Sequence, residues 1–263
     1  MINTYKKHLY YFFEKLLYYR HISGRIDKVF QKDIKVYSSE EAIIEFISAL
    51  VISDWTGPTD NGWEINFPTG HITETNKENY ETEIRKFLSK QLCLLYAQSF
   101  ESFERYLKNC LFERIVRDDT IKAYAISLYS KKRRPSSITR ENMLSGDGLF
   151  KVLKKAGGKS FNKFSSNNNL NIKFKELWTI LSEVRHSITH RESLIEKKKV
   201  NKSSHHFGIF NYLFNSKNIS DDLILIELTY GKFDNLIKRF SEFAFQIFKL
   251  LSIEENLEWK DSE

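Results

Sequence analysis

Apolar residues recur at helical spacing along most of the chain. Leu9, Phe12, Phe13, Leu16 and Leu17 form a stripe near the N-terminus, which predicts an opening amphipathic helix. Residues 40–52, EEAIIEFISALVI, read as a second helix, with Ser38 and Ser39 placed to cap it. The texture then changes. DWTGPTDNGWEINFPTGHITET gathers turn residues around two alternating runs, WEINF and HITET, the pattern of a hairpin or extended loop. From residue 80 to 117 runs the longest stripe, including Ile84, Leu88, Leu92, Leu95, Phe103, Leu107 and Leu111, and it predicts a helix of many turns.

Shorter helices are expected in DDTIKAYAISLYS and in GDGLFKVLKKAGG, the second closed by paired glycines. SFNKFSSNNNLN reads as a polar loop, 172–197 as a helix, and 200–221 as irregular. The last helix is expected over 222–252, although its front, LILIELTYG, also fits a short strand. No internal repeat is visible. The fold class expected is all-α: a helical bundle over 79–255, preceded by an appendage over 1–78 (two helices plus a hairpin or loop) and followed by a tail over 256–263.

Composition narrows the partners. The chain has 263 residues, 41% hydrophobic and 14% aromatic, enough for a substantial core. Three prolines and ten glycines argue against a disordered or all-β chain. A net charge of +7 favours a polyanionic partner such as nucleic acid or an acidic membrane surface, while the Lys- and Asn-rich usage of an A/T-rich genome accounts for it equally well. Cys93 and Cys110 both lie in helical, apolar-periodic sequence and read as small core residues, so no disulfide framework or zinc knuckle is expected. MINTYKKHLYYFFEKLLYYR is charged throughout and has no small-residue cleavage site, so it does not read as a signal peptide. No run has the length of a membrane span. The expected location is cytoplasmic, with no membrane partner.

The candidate chemistry lies in EVRHSITHRE, residues 183–192. On an ideal helix, at about 100° per residue, Phe174, Leu177, Leu181, Val184, Ile188 and Ile195 form the core stripe. Arg185 sits to one side of it. His186 and His190 fall on the far side, stacked on adjacent turns and flanked by Ser187 and Thr189. Three readings compete. The stretch is a solvated helix end, where basic residues are favourable. Or His186 and His190 are a metal pair, with further ligands from His205 and His206 only if these fold back. Or Arg185 and a histidine serve phosphodiester chemistry. A guanidinium grips phosphate and steadies growing charge, and an imidazole moves protons near neutral pH.

RHSITH resembles the Arg-x4-6-His motif of the HEPN superfamily, with Arg185 and His190 at its ends. The placement is similar too: late on a helix, after LWTILSEV, and before an irregular segment and a long final helix. Upstream, LLYAQSFESFERYLKNCLFE resembles the family's early helix, in which Glu101 or Glu104 is the acid that would orient Arg185. The resemblance covers residues 80–255. It implies a small helical bundle and a metal-independent endoribonuclease, acting as a toxin or anti-phage defence effector. RNA would be cut by attack of the 2′-hydroxyl, with no cofactor and no metal. Arg185 and His190 would be catalytic, with Arg185 stabilising the phosphate and His190 acting as general base or acid. His186 stands where the family often has Asn, and it would support them together with Thr189. The cleft would be shared by a homodimer, lined by Arg185 and His190 and basic in character. An antitoxin or defence-system protein is the further partner implied. The alternative is a non-catalytic HEPN-like RNA-binding or partner-recognition module.

Basic segments supply a possible RNA track: Lys131, Lys132, Arg133 and Arg134 in one run, and Lys197, Lys198 and Lys199 just after the motif. Phe161, Phe164 and Phe207 are either stacking platforms or core. AGGKS lacks the earlier glycine of a nucleotide-binding loop.

Overall fold

The computed structural model describes residues 3–41, 45–53, 66–130 and 134–260, the side chains of residues 45, 53 and 66–68 excepted. Helices hold most of the described residues and strands few, so the fold is mainly helical with small antiparallel sheets. Two compact units form: residues 1–24 with 89–263, and residues 25–88. Residues 78 and 79, where the sequence pattern puts the edge of the helical body, both belong to the second unit.

In the 25–88 unit, β1 (Glu45–Ser53) pairs antiparallel with β2 (Asn66–Asn76), with a register shift between Ala49 and Val51. The helix expected over 40–52 is therefore wrong: residues 40 and 41 lie in a turn, 42–44 lie outside the described residues, and 45–52 belong to β1. Ile47, Val51 and Ile52 are β-branched, and such a short apolar run suits a ladder as well as a helix. Pairing with β2, which contains HITET, decides between them. Most of WEINF falls in 54–65, outside the described residues. The rings of Tyr37, Phe46 and Tyr80 cluster with centroids 5.4–6.1 Å apart.

The larger unit is organised by α2 (Tyr80–Arg117) and α9 (Tyr230–Glu254), with the first part of α1 (Thr4–Tyr37) beside them. Tyr5, Leu9, Phe12 and Leu16 make the buried stripe of α1, and Phe12 meets Phe103 and Tyr106 at 5.7 and 5.4 Å. Buried phenols tie the long helices to their neighbours. Tyr106 donates to the Ala244 carbonyl at 2.9 Å, and Tyr96 to the Leu181 carbonyl at 2.7 Å. Each bond satisfies a hydroxyl that would be costly to bury alone.

After α3 (Asp119–Ser127), α4 (Gly146–Ala156) and α5 (Gly158–Ser166) meet at the paired glycines. A Cβ on Gly157 would lie 2.7 Å from Leu250 Cδ1, and Gly158 takes φ +48°. The amide of Ser160 donates to Glu254 at 3.0 Å, so a carboxylate covers this helix start. The polar loop expected at 160–171 starts inside α5 because Phe161 is buried between Phe150 and Phe174, at 5.6 and 5.5 Å.

α6 (Phe174–His190) ends earlier than the expected residue 197. Glu192 and Ser193 take φ of +51° and +69°, turning the chain into β3 (Leu194–Glu196). A left-handed non-glycine residue costs about 1–2 kcal/mol, offset here by pairing: the Ser193 carbonyl accepts from Ile226, and Ile195 faces Ile224. β5 (Leu223–Glu227) is the central strand between β3 and β4 (Asn215–Asn218), with Ile224 and Ile226 buried at alternate positions. The strand alternative for LILIE is the observed one, and α9 begins at Tyr230 rather than 222. The short α7 (Lys197–Val200) ends at the start of the stretch read as irregular, and that stretch itself contains α8 (Ser204–Leu213) and β4, α8 being capped by Ser203 and anchored by Ile209, Phe210 and Leu213. In the tail, Leu257 is buried and Lys249 lies 4.1 Å over the Trp259 ring.

Candidate functional site

α6 buries Phe174, Leu177, Trp178, Ile180, Leu181, Val184, Ser187 and Ile188. Trp178 is the anchor, 5.5 Å from Phe100 and 5.6 Å from Phe150. Ile180 and Ser187 are buried as well, so the covered face is wider than the expected stripe. Ser187 donates to the Val184 carbonyl at 2.8 Å. Arg185 and His186 emerge just beyond this face.

The two helices α2 and α6 place Arg185 against Glu101. Arg185 Nη2 donates to Glu101 Oε1 at 2.9 Å, with the arginine side chain 30% exposed. Its Nε is buried without a partner among the described residues. Glu104 instead faces Lys108 at 3.3 Å, so of the two candidate acids Glu101 is the one that touches Arg185.

Both side chains line a cleft of about 900 Å³ between α2, α6 and the segment before α4. Its cations are Arg105, Lys108, Arg140, Arg185 and Lys199, set against Glu101, Glu104, Glu141 and Glu183. Several are neutralised in pairs: Lys199 with Glu183 at 3.1 Å, Lys108 with Glu104, and Arg140 with Glu113 at 3.0 Å. With five cations against four carboxylates the cleft is mixed in charge with a slight basic excess, and not the uniformly basic cleft expected.

His186 lines this cleft and His190 does not. The two rings sit 4.9 Å apart, on adjacent turns. His190, the last residue of α6, is exposed. His186 is exposed, and the slight loss of solvent around its ring, then the charges of His190, Lys199 and Arg191, hold its imidazole below the usual 6.5, outweighing Glu183. His186 is therefore neutral at pH 7, able to accept a proton or donate one hydrogen bond. Thr189 is exposed and donates back to the Arg185 carbonyl at 3.0 Å, so its hydroxyl serves the helix.

The basic segments divide. Lys199 lines the cleft, while Lys198 turns to Glu196 at 2.7 Å. Lys197 joins the sheet edge through its amide, which donates to Asp222. Arg134 is exposed, and Lys131, Lys132 and Arg133 lie outside the described residues. Phe161 is core, and Phe207 stacks on Phe210 at 6.0 Å.

The other histidines do not join the pair. His206 is buried with Nδ1 2.7 Å from the Val200 carbonyl, and His205 lies 3.5 Å from Glu176. Among the described residues no group of three or more His, Cys, Asp or Glu is arranged to hold a metal ion. Among them, too, no helix is long and apolar enough to cross a membrane.

Arg105, Lys108, Asn109 and Arg140 line the cleft and were missed in the sequence. The signal for the first three was their phase: they follow Glu101 by four, seven and eight residues, on the same side of one helix. Arg140 comes from a loop, where no periodicity points. Comparison with family models, curated proteins and solved structures finds no match for this chain.

Proposed function

We propose that the chain is a HEPN-type, metal-independent endoribonuclease, with Arg185 and His190 as its catalytic residues. The observation that supports this best is Arg185 at the wall of an open cleft, held by an acid from α2, with two imidazoles next along α6. In this reading Arg185 exchanges Glu101 for the scissile phosphate. An imidazole removes the 2′-hydroxyl proton, the 2′-oxygen attacks phosphorus, and the 5′-oxygen departs with a proton. The products are a 2′,3′-cyclic phosphate and a free 5′-hydroxyl.

His186 faces the cleft and His190 lies behind it, so His186 is the nearer proton carrier to Arg185 within one chain. His190 would reach the phosphate from a second copy, making the active unit a homodimer. A toxin or anti-phage effector role, with an antitoxin or defence-system protein as partner, belongs to the same proposal.

The paired charges in the cleft, and the absence of His190 from its lining, favour a second reading: a non-catalytic RNA-binding or partner-recognition module. RNA cleavage in the presence of chelator separates the two. His190→Ala and Arg185→Ala are each expected to slow cleavage about a hundredfold or more, with cyclic-phosphate ends on the natural protein's products. Equal rates in all three proteins would remove the mechanism. RNA binding without cleavage would establish the second reading.

A further inference from the structure

α2 separates two depressions. One is the Arg185 cleft. The other, about 290 Å³, lies against α1 and is lined by Tyr11, Lys15 and Tyr19 from that helix. Glu101, Arg105 and Asn109 of α2 line both. They stand four residues apart, one stripe advancing about 6 Å per step along the helix. A ligand leaving the cleft over this stripe enters the α1 groove directly.

The chemistry along that path is specific. Glu101 already engages Arg185. Arg105, one turn on, is exposed, and its guanidinium has no ion pair or hydrogen bond among the described residues. It stands apart from Lys108, Arg140 and Lys199, each opposed by a glutamate. Beyond it, the Tyr11 ring is 49% exposed with Lys15 Nζ 5.4 Å above it. Tyr19 is fixed by its hydroxyl, 3.2 Å from Ser102 Oγ. An unopposed guanidinium followed by an exposed aromatic ring beside a cation is what a phosphate and its neighbouring base require. A base can reach such a ring only if it is unstacked from a partner strand.

We propose that the α1/α2 groove is a single-stranded RNA subsite continuous with the Arg185 cleft. Arg105 binds the backbone phosphate next to the one at Arg185, and Tyr11 stacks the following base. This rests on the RNA reading of the Arg185 cleft and gives that reading a substrate class: unpaired RNA long enough to cross α2.

The test is fluorescence anisotropy with a short, labelled 2′-O-methyl oligouridine, which cannot be cleaved by 2′-attack, and a duplex of equal length. Arg105→Ala is expected to weaken single-strand binding about tenfold and to reduce the salt slope by about one. Tyr11→Ala should also cost about tenfold, with Tyr11→Phe close to the natural protein, because the ring rather than the hydroxyl does the stacking. The duplex should bind more weakly and ignore Tyr11. Both side chains are exposed, so circular dichroism should be unchanged. If Arg185→Ala weakens binding while Arg105→Ala and Tyr11→Ala do not, the subsite is wrong and the RNA reading survives. If the natural protein binds neither RNA, both fall together.

Discussion

Arg185 and Glu101 lie 84 residues apart in sequence and meet through a 2.9 Å hydrogen bond. Their meeting is set by packing beneath them. The Tyr96 hydroxyl bonds the Leu181 carbonyl, and Phe100 packs on Trp178, so α2 and α6 cross with the next turn of each facing the other. The pair is the visible end of that crossing and not its cause.

Glu101→Gln should therefore leave the fold almost intact. The carboxylate is 54% exposed, and exposed pairs contribute about 0–1 kcal/mol. The change should appear in function instead. Removing the acid frees Arg185 for phosphate but releases its orientation, so RNA binding should tighten while cleavage slows. Thermal melting, anisotropy and cleavage rates measured on the same protein check all three. A large fall in melting temperature would show that the pair holds the helices together after all.

The His186 imidazole should titrate below 6.5 in the folded chain, because partial desolvation by the neighbouring protein and then His190, Lys199 and Arg191 disfavour its charged form. In the unfolded chain it takes up its proton near 6.5. Between the two values acid favours unfolding, so its contribution to stability is present above 6.5 and lost as pH falls through the depressed value. NMR titration of the His186 ring should show this midpoint, and His190→Ala should raise it by removing a like charge. An unmoved midpoint in that variant would mean the two rings do not interact.

Glu255 joins three elements. It accepts from Tyr5 at 2.5 Å, from Arg114 at 2.7 Å and from Arg117 at 2.6 Å, with its own side chain 8% exposed. Burial pushes its carboxyl up, but the bonds from Arg117, Tyr5 and Arg114 outweigh that and hold it below 4.5. Breaking a buried pair costs roughly 3–5 kcal/mol. Arg114 keeps Asp118 at 2.9 Å and Arg117 is 30% exposed, so Glu255→Gln should cost about 3 kcal/mol or somewhat less. The urea midpoint measures it. The contribution is present above 4.5 and lost as pH falls through the lowered value, so the gap between natural and variant protein should narrow in acid.

By itself, the sequence determined what depends on local periodicity. α2 was legible over residues 80–117 because its apolar stripe continues for ten turns, and the core side of α6 was legible from Leu177, Leu181, Val184 and Ile188. The exposure of His186 and His190 followed from the same phase. What only tertiary structure decided was whatever depends on a partner distant in the chain. Residues 45–53 became a strand because β2 was there to pair with it, and α6 stopped at His190 because β5 took the next residues into a sheet. The choice of Glu101 over Glu104 followed from the angle at which two helices cross, which no spacing along either helix contains. The cleft needed Arg140 and Lys199 from separate segments beside α2 and α6. A helical stripe says which side of an element is covered; it does not say by what, and the chemistry of this site lies in that second relation.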